Sequence, residues 1–526
     1  GIEFPLRLAR EVIKKPDVEL NQMMNALQVA EFVYEQPAAG DVEYAFRHAL
    51  TQEVAYGSVL QERRRLIHER IGQSIETLYA DSLDDNLSEL AYHYRRSGNT
   101  RKAVAYLVRA AEQAHQRSAF SVATAYFEDA LERLKSLPEG AERDRMEMAI
   151  YSGLGDVALV TKGYAAADCE RYLTRRKALA ERLGDGIEFF FSLVVISVLS
   201  AFRLELEKAR EIGENLVRLA DQASERGLQL NAHGSLANLL WLMGDFIGSR
   251  AHSEKGISLF ERSEHLGPGE EHFLAACYFY APLCTAFLGF PDQALRQSLE
   301  VLTWARRKPR PLPLAFALNG VGTLFLFLRA DGARTLEYSE SMLAIAAQHG
   351  FSNLHSFAQI LHGQALAILG RTDEAIAEIK DAMAAFEATG AVVQGWLYSA
   401  LGFAYLAAQR PKEGLGVVEK ALQLGDRTGE AQARSELYRL KGELLLMLHP
   451  TDGAEAEVSF RAAIDTARKQ QARLPELRAT MSLARLLRDT SRREEGRTTL
   501  AQIYNWFTEG FDTADLKDAK ALLDRK

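Results

Sequence analysis

The sequence predicts an all-α fold: a right-handed α–α superhelix of about nine to eleven helical hairpins that follows a small N-terminal element with short strands. Two small residues twelve positions apart recur along the chain, and successive pairs begin 39 to 45 residues apart. Such a period is typical of stacked hairpins, because small side chains let the two helices of a hairpin cross closely. The nine pairs, the eighth two residues longer than the rest, are Gly155/Ala167, Ser197/Ala209, Ala237/Ser249, Pro282/Ala294, Thr323/Thr335, Gly363/Ala375, Gly402/Gly414, Gly442/Ala456 and Ala484/Gly496.

Composition and charge narrow the class of protein. The 526 residues are 47% hydrophobic and 25% charged, with a net charge of −8, which counts against a nucleic-acid-binding surface over the whole molecule. The most apolar run, Phe189–Phe202, is interrupted by serines and too short to span a bilayer, so we expect no membrane contact. The three cysteines, Cys169, Cys277 and Cys284, form no disulfide framework, and we expect a cytoplasmic location.

Residues 1–80 differ from the rest of the chain. Two short helical patterns precede an alternation of apolar and polar residues at Glu31–Glu35 and Val42–Arg47, on either side of QPAAGD, which predicts a strand–turn–strand unit. A single long helix is predicted from about Thr51 to Tyr79. This layout indicates an incomplete winged-helix-like element. The chain opens GIEFP without methionine, and we expect it to be a piece of a longer protein whose first few residues are foreign to it.

The remainder of the chain is predicted to be entirely helical. Gly-Asp at 184–185, 244–245 and 425–426, Leu-Gly-Arg at 369–371 and Gln-Arg-Pro at 409–411 stand between the periodic segments, as expected of helix ends and starts. We predict a hairpin array over 84–508. The tail FDTADLKDAKALLDRK predicts an amphipathic helix over 509–526 that caps the open end of the array.

The segment Ser356–Gly390 resembles a tetratricopeptide repeat, and the repeat after it does so again. The period is nearer forty residues than thirty-four, which predicts longer helices than usual. The matching small and apolar residues are Gly363, Leu366, Gly370, Ala375, Ile379 and Ala382 in the first repeat and Tyr398, Leu401, Gly402, Tyr405, Gly414, Val418 and Ala421 in the second.

Two further segments resemble a narrower family. They are FRHALTQEVAYGSVLQERRRLIHERIGQSIE (Phe46–Glu76), with the LAYHYRRSGN stretch after it, and IYNWFTEGFDTADLKDAKALLD (Ile503–Asp524). Both are similar to the C-terminal region of bacterial multidomain class III adenylate/guanylate cyclase–ATPases. The resemblance implies that residues 1–80 link the array to an ATPase domain outside this chain. It also implies that the cyclase and ATPase chemistry belongs to those other domains.

No motif in the chain itself predicts catalysis. The sequence has no GxxxxGK[ST] phosphate loop and no HExxH, and His355 and His362 stand two helical turns apart, too far to share one metal ion unaided. We therefore expect no enzyme activity, no cofactor and no metal site in this chain.

The concave face of the array is the predicted binding surface. From the crossing residue of each first helix, positions three before, one after and four after should point into the groove. Aromatic and amide groups in its middle suit a small polar effector or a peptide, whereas its C-terminal end is charged. The alternative is that these aromatic side chains pack between neighbouring repeats. The groove candidates are Asn238, Trp241, Phe279, Gln364, Phe403, Arg439 and Arg485.

The densest positive run is ERRRLIHER, which contains Arg63, Arg64 and Arg65. We interpret it as a solvated helix face or as a contact with the neighbouring domain, with Leu66 and Ile67 facing inward. Contact with DNA or a nucleotide is the alternative, although few residues that could contact DNA bases precede the run.

These observations predict a regulatory sensor array of a cyclase–ATPase signalling protein. Its partner would be another protein, its own ATPase and cyclase domains, or a small effector, and nucleic acid is not expected. The first alternative is the effector-sensing part of a transcriptional regulator with a DNA-binding winged helix, and the second is an oligomerisation scaffold.

Overall fold

The computed structural model describes residues 3–38, 41–163, 165–261, 270–307, 310–488 and 490–524. Of the sequence features above, the first two residues of GIEFP, two residues of the QPAAGD turn and the last two residues of the C-terminal tail lie outside this part of the chain. The chain divides into two compact units, residues 1–157 with 178–185 (unit 1) and residues 158–177 with 186–526 (unit 2). The division predicted near residue 80 does not coincide with either boundary and stays a prediction.

Unit 1 begins with a three-stranded antiparallel sheet. The strands are β1 (Glu3–Pro5), β2 (Val33–Ala38) and β3 (Asp41–Phe46), in the order β1–β3–β2. The β2–β3 hairpin agrees with the alternation in the sequence, whereas β1, paired with β3 from Glu3 opposite Ala45 to Pro5 opposite Glu43, was not predicted. Val33 and Tyr44 on the sheet pack with Leu20 and Met24 of the helix that precedes β2.

Within the described residues, eight α-helices begin in unit 1, a 3-10 helix spans Ala80–Asn86, and the end of the helix Ala167–Leu183 also belongs to this unit. The single long helix predicted from about Thr51 to Tyr79 is wrong. It is two helices, because the backbone is extended at Val59 and Leu60. The helices are α1 (Leu6–Ile13), α2 (Asp17–Val29), α3 (Ala49–Ser58), α4 (Gln61–Leu78), α5 (Leu87–Tyr94), α6 (Thr100–Gln116), α7 (Phe120–Leu134) and α8 (Ala141–Lys162).

In unit 2, the described helices from α10 to α25 pair into eight consecutive hairpins, which confirms the all-α repeat fold. A last helix, α26 (Ala514–Asp524), packs on α24 and α25 at the end predicted to carry a cap. The helices after α8 are α9 (Ala167–Leu183), α10 (Gly186–Phe202), α11 (Leu206–Ala223), α12 (Arg226–Leu242), α13 (Phe246–Glu261), α14 (Glu270–Phe287), α15 (Pro291–Arg306), α16 (Pro311–Leu324), α17 (Gly332–His349), α18 (Ser352–Ile368), α19 (Thr372–Ala388), α20 (Gly395–Ala407), α21 (Pro411–Thr428), α22 (Arg434–Leu448), α23 (Ala454–Lys469), α24 (Arg473–Leu487) and α25 (Arg493–Tyr504).

The small pairs mark the hairpin crossings. Ser249 Oγ donates a hydrogen bond to the Ala237 carbonyl at 2.8 Å, and a Cβ on Gly363 would lie 3.2 Å from the Ala375 carbonyl oxygen. Contacts this close leave no space for a larger side chain. The two small residues twelve positions apart therefore mark where the two helices of a hairpin cross.

Two of the nine pairs are misplaced. Ala167 is exposed, because it is the first residue of α9 and precedes the part of the helix that packs. Thr323 is only half-buried, and the crossing residue is its neighbour Gly322, whose carbonyl accepts a hydrogen bond from Thr335 Oγ1 at 3.4 Å.

Within the described part of the chain, one helical stretch is long and apolar enough to cross a membrane, which the sequence did not lead us to expect. It is Pro311–Arg329, in which α16 continues into a π-helical segment, Phe325–Arg329. About two thirds of this stretch (67%) is buried, and α16 packs against α14, α15, α17 and α18. This packing is that of a core helix.

Candidate functional site

The first helices of the hairpins form the inner layer of unit 2. From α10 to α24, each first helix packs on its own partner and on the first helix of the next hairpin. The groove candidates Asn238, Trp241, Phe279, Gln364 and Phe403 all lie on this layer, and all are half-buried. The layer is therefore the surface on which a bound molecule would meet the predicted residues.

Within the described residues, the inner layer carries an aromatic cluster centred on Trp241. Its ring centroid is 5.1 Å from that of Phe246 and 5.1 Å from that of Phe287, in edge-to-face contacts worth about 0.5–1.5 kcal/mol each beyond the area they bury. Tyr280, whose ring is 5.9 Å from Trp241, donates a hydrogen bond from its hydroxyl to Asn238 Oδ1 at 2.8 Å. The structure thus unites Asn238 and Trp241 through residues that the sequence did not single out.

This cluster also contacts a distant part of unit 2. For clarity, α10 to α17 are called the first tier and α18 to α25 the second tier. Trp241 packs against a buried group that combines Phe246 and Cys284 of the first tier with Ala467 and Ala472 of the second. Phe279 packs against a second buried group, which contains Leu283 of the first tier and Leu474 of the second. Side chains of the same chain therefore occupy the space in front of these two groove candidates.

A line of hydrogen bonds joins the two tiers, and we call it the seam. The Val392 amide donates to the Phe202 carbonyl at 3.0 Å, and the Ala431 amide donates to the Leu242 carbonyl at 2.9 Å. Both acceptors are the last residues of first helices, and both donors lie in links between hairpins, about forty residues apart in each case. The seam thus repeats with the period of the array.

The seam continues toward the C-terminus with side chains. Glu509 accepts hydrogen bonds from the amides of Asp292 and Gln293 at 3.0 and 3.1 Å, and so caps the first turn of α15. The Gly510 amide returns a bond of 2.9 Å to Asp292, and Arg329 pairs with Asp512. No short-range pattern in the sequence links these residues, because about 180 to 220 positions separate the partners.

The charged end of the inner layer is a network of ion pairs. Arg439 contacts Glu436 through two bonds of 2.8 and 2.6 Å and reaches Glu443 at 3.5 Å, while Ser482 donates to Glu443 at 2.6 Å. Burial alone would lower the pKa of the Arg439 guanidinium, but the two carboxylates hold that pKa above its ordinary value. The charge of Arg439 is therefore compensated within the chain.

Arg478, which the sequence reading missed, extends the charged end to the seam. Its guanidinium pairs with Asp515 at 2.7 Å and also donates to the Phe327 carbonyl of the first tier. Arg485, by contrast, is exposed and reaches Asp518 of α26 at 3.5 Å. Gln364 and Phe403 lie apart from this network, and Phe403 packs against a large apolar group of unit 2.

Part of the positive run in unit 1 stabilises the local backbone. Arg64 donates to the carbonyls of Val59 and Gly57 at 2.6 and 3.0 Å, and thereby fixes the turn between α3 and α4. Arg63 and Arg65 are exposed. The expectation that Leu66 faces inward is wrong, since 58% of its surface is exposed on the outer side of α4.

The described ranges contain neither an exposed cysteine nor a group of side chains suited to a metal ion. Cys169, Cys277 and Cys284 are buried, and burial raises the pKa of each thiol to about 12, so the reactive thiolate is suppressed. Across the same ranges, no three His, Cys, Asp or Glu side chains group in a way that could hold a metal ion.

Comparison with known sequences gives a distant relative of larger size. No family model matches the chain. A protein of Rhizobium meliloti (strain 1021), described only as uncharacterised, is 22% identical over 500 residues. The match covers 92% of this chain and 48% of the relative, so the chain spans about half the length of the relative.

Comparison with solved structures supports the fold. The structure of a Rap protein complexed with Competence and Sporulation Factor matches with a TM-score of 0.52 at 13% identity, over 70% of this chain and 98% of that one. A Signal Transduction ATPase with Numerous Domains from Pyrococcus horikoshii, which has a tetratricopeptide repeat sensor, also matches, at 14% identity. The match covers 88% of this chain and 61% of the other, but its TM-score of 0.34 is too low to support a conclusion. The chain is thus a tetratricopeptide-like repeat protein in fold.

Proposed function

We propose that this chain is the non-catalytic regulatory array of a larger, cytoplasmic signalling protein that resembles the cyclase–ATPases. In this proposal, unit 1 contacts the ATPase domain of the same polypeptide. The inner layer of unit 2 receives a protein partner or a small effector. The resemblance of Phe46–Glu76 and Ile503–Asp524 supports the parent class, and the greater length of the Rhizobium relative is consistent with further domains.

The observation that carries the proposal is the apolar surface of unit 1. Large hydrophobic side chains are exposed at 22 described positions, and 12 of these lie between Ile13 and Leu66. α3 has no buried residue at all, although it presents Leu50 and Val54, which are 70% and 65% exposed. So many exposed apolar side chains along one segment of about fifty residues are what we expect of a surface that another domain covers.

The DNA-binding alternative fits the structure less well. In the sheet-containing element, α2 is the helix directly before the β2–β3 hairpin, the place of a recognition helix in a winged-helix protein. α2 has the sequence DVELNQMMNALQV, with two acidic residues and no lysine or arginine. A helix of net negative charge is repelled by the phosphate backbone, so we expect no salt-dependent binding to DNA.

Two measurements test the proposal. First, ATP hydrolysis by the full-length gene product is compared between the wild type and Val54→Asp, with Val458→Asp, equally exposed on α23, as the matched control. We expect Val54→Asp alone to change the rate, since a carboxylate would disrupt an apolar contact between domains. Equal rates in all three proteins would contradict the contact through α3.

Second, thermal melting of this chain against a library of sugars, nucleotides and amino acids tests the effector. A ligand that binds only the folded state increases the free energy of unfolding, by about 2.7 kcal/mol at a hundredfold excess over its Kd. The melting midpoint therefore rises. We expect the shift to disappear in Gln364→Ala and to persist in Lys412→Ala, which changes an exposed residue of α21. A shift that survives Gln364→Ala would place the ligand elsewhere, and no shift at all would favour a protein partner.

The molecular mass in solution tests the scaffold alternative. A mass that corresponds to two or more chains would favour it.

A further inference from the structure

The helix that begins with α16 ends in an irregular turn. The segment Phe325–Arg329 is π-helical, and Ala330 after it has the left-handed backbone conformation, with a φ of 49°. The hydrogen bonds that close the turn are long, from the Asp331 amide to the Phe325 carbonyl at 3.3 Å and from the Ala330 amide to the Leu326 carbonyl at 3.2 Å. A π-helix is rare and a left-handed alanine costs free energy, so such a turn persists only where surrounding contacts stabilise it. We call residues 325–330 the π-turn.

Two side chains from the C-terminal part of the chain contact the π-turn. Arg478 of α24 donates to the Phe327 carbonyl and lies over the Phe327 ring, 5.3 Å from its centroid. The Arg329 guanidinium pairs with the Asp512 carboxylate and donates to the Asp512 carbonyl at 3.0 Å. The Phe327 carbonyl belongs to the last turn of its helix, where carbonyl groups lack amide partners within the helix. Arg478 therefore supplies its hydrogen-bond donor.

The end of the chain holds Arg478 in place. Its guanidinium pairs with Asp515 of α26 at 2.7 Å, and only 18% and 15% of the two side chains are exposed. α26 packs both on α24 and on the π-helical segment. Because this ion pair is largely buried, separating its members would leave uncompensated charges. The contact of Arg478 with the π-turn therefore depends on α24 and α26 lying side by side.

The π-turn also contacts the aromatic cluster of the inner layer. The Phe327 ring centroid lies 6.0 Å from that of Phe287, in an edge-to-face contact, and Phe287 lies 5.1 Å from Trp241. The Phe325 ring stacks on Tyr338 of α17 at 5.7 Å. The π-turn therefore joins the cluster around Trp241 to α17.

We propose that the π-turn is a two-state element, which Arg478 and Asp512 hold in the π-helical form and which relaxes to a regular α-helical end when those contacts are lost. Hydrogen bonds in a π-helix span five residues and those in an α-helix span four, so the two forms place different numbers of residues in the turn. Relaxation therefore rotates Phe327 relative to α16 and moves the start of α17. The proposal goes beyond the regulatory role above, and its test needs no partner.

A few polar contacts decide between the two forms. The bond from Arg478 to the Phe327 carbonyl is charge-assisted and partly buried, and we expect its loss to change the ratio of the two forms by about tenfold. The pair of Arg329 and Asp512 should contribute less, because its side chains are 28% and 59% exposed and water screens their charges.

The test places fluorine labels on both sides of the π-turn in the full chain. A fluorinated phenylalanine replaces Phe327, or a fluorinated tyrosine replaces Tyr338, and fluorine NMR follows each label. We expect Arg478→Gln to change both signals, although Arg478 contacts only the Phe327 side. The control is Arg485→Gln, also on α24, whose exposed side chain reaches Asp518 at 3.5 Å, and it should change neither signal.

A change confined to the label at position 327 would overturn the two-state element, because loss of a contact alone would explain it. Unchanged signals in Arg478→Gln, or equal changes in Arg485→Gln, would overturn it as well. Asp512→Asn covers the case in which Arg478→Gln alters folding, since it changes an exposed side chain. It should move both signals in the same direction as Arg478→Gln but less far, and movement of the label at 327 alone would again contradict the proposal.

Discussion

At the scale of single residues, close contacts explain why small side chains recur. A Cβ on Gly442 would lie 2.4 Å from the Phe460 ring, and one on Gly402 would lie 2.8 Å from Val418 Cγ2. Both glycines are buried in first helices, where glycine costs about 0.5–1 kcal/mol of helix stability relative to alanine. The close helix crossing offsets that cost, since apolar side chains of the second helix fill the space.

Gly442→Ala tests this explanation. We expect a loss of about 1–3 kcal/mol in the free energy of unfolding, because the added methyl group must displace the buried Phe460 ring. Gly416→Ala in α21 is the matched control, since nothing lies within 4 Å of its Cβ position, and it should be neutral or slightly stabilising. Urea denaturation measures both. Equal effects would show that helix propensity, not the crossing, governs these positions.

At the scale of elements, some helix ends are capped by distant parts of the chain. α15 begins with Pro291 after Phe290, without a capping side chain from its own N-terminus, and Glu509 accepts the amides of its first turn instead. A carboxylate at a helix N-terminus is also favoured by the helix dipole. The start of α15 therefore depends on a residue more than 200 positions later.

Glu509→Ala should expose this dependence. We expect it to destabilise the chain by about 1–2 kcal/mol and to speed hydrogen exchange at Asp292 and Gln293, whose amides lose their acceptor. Glu494→Ala, whose exposed carboxylate makes only a long contact to Arg497 at 3.9 Å, is the control. Unchanged exchange at the two amides in Glu509→Ala would mean that the cap contributes nothing in solution.

At the scale of the whole molecule, unit 2 is stabilised by more than neighbouring repeats. In an ideal repeat stack each hairpin contacts only the hairpins before and after it. Here Leu474 of the second tier is 2% exposed and packs with Leu283, Ala286 and Leu324 of the first tier. The two tiers are therefore expected to unfold together, not repeat by repeat.

Leu474→Ala tests this cooperativity. Removing a buried leucine costs about 2–5 kcal/mol, and we expect hydrogen exchange to increase in α14 as well as in α24. Val458→Ala, 69% exposed on α23, should leave both helices unchanged. An increase confined to α24 and its neighbours would show that the tiers unfold independently.

The sequence by itself determined the hairpins of this protein. Helix length, helix ends and crossing positions depend on residues within about forty positions, and the pairs Ala237/Ser249 and Gly363/Ala375 record those local contacts directly. The prediction from sequence was wrong at two points where the pattern was ambiguous. It missed the break at Val59, which divides α3 from α4, and it chose Thr323, one residue from the true crossing.

Only the tertiary structure decided what faces the inner layer. Trp241 and Phe279 lie on that layer, and their role in binding stays a prediction; the sequence could not tell that residues near 470 fill the space before them. The seam depends on the sum of small rotations between successive hairpins, which no single repeat encodes. For that reason Ala431, Glu509 and Arg478, residues whose hydrogen bonds form the seam, carry no signal in the repeat pattern.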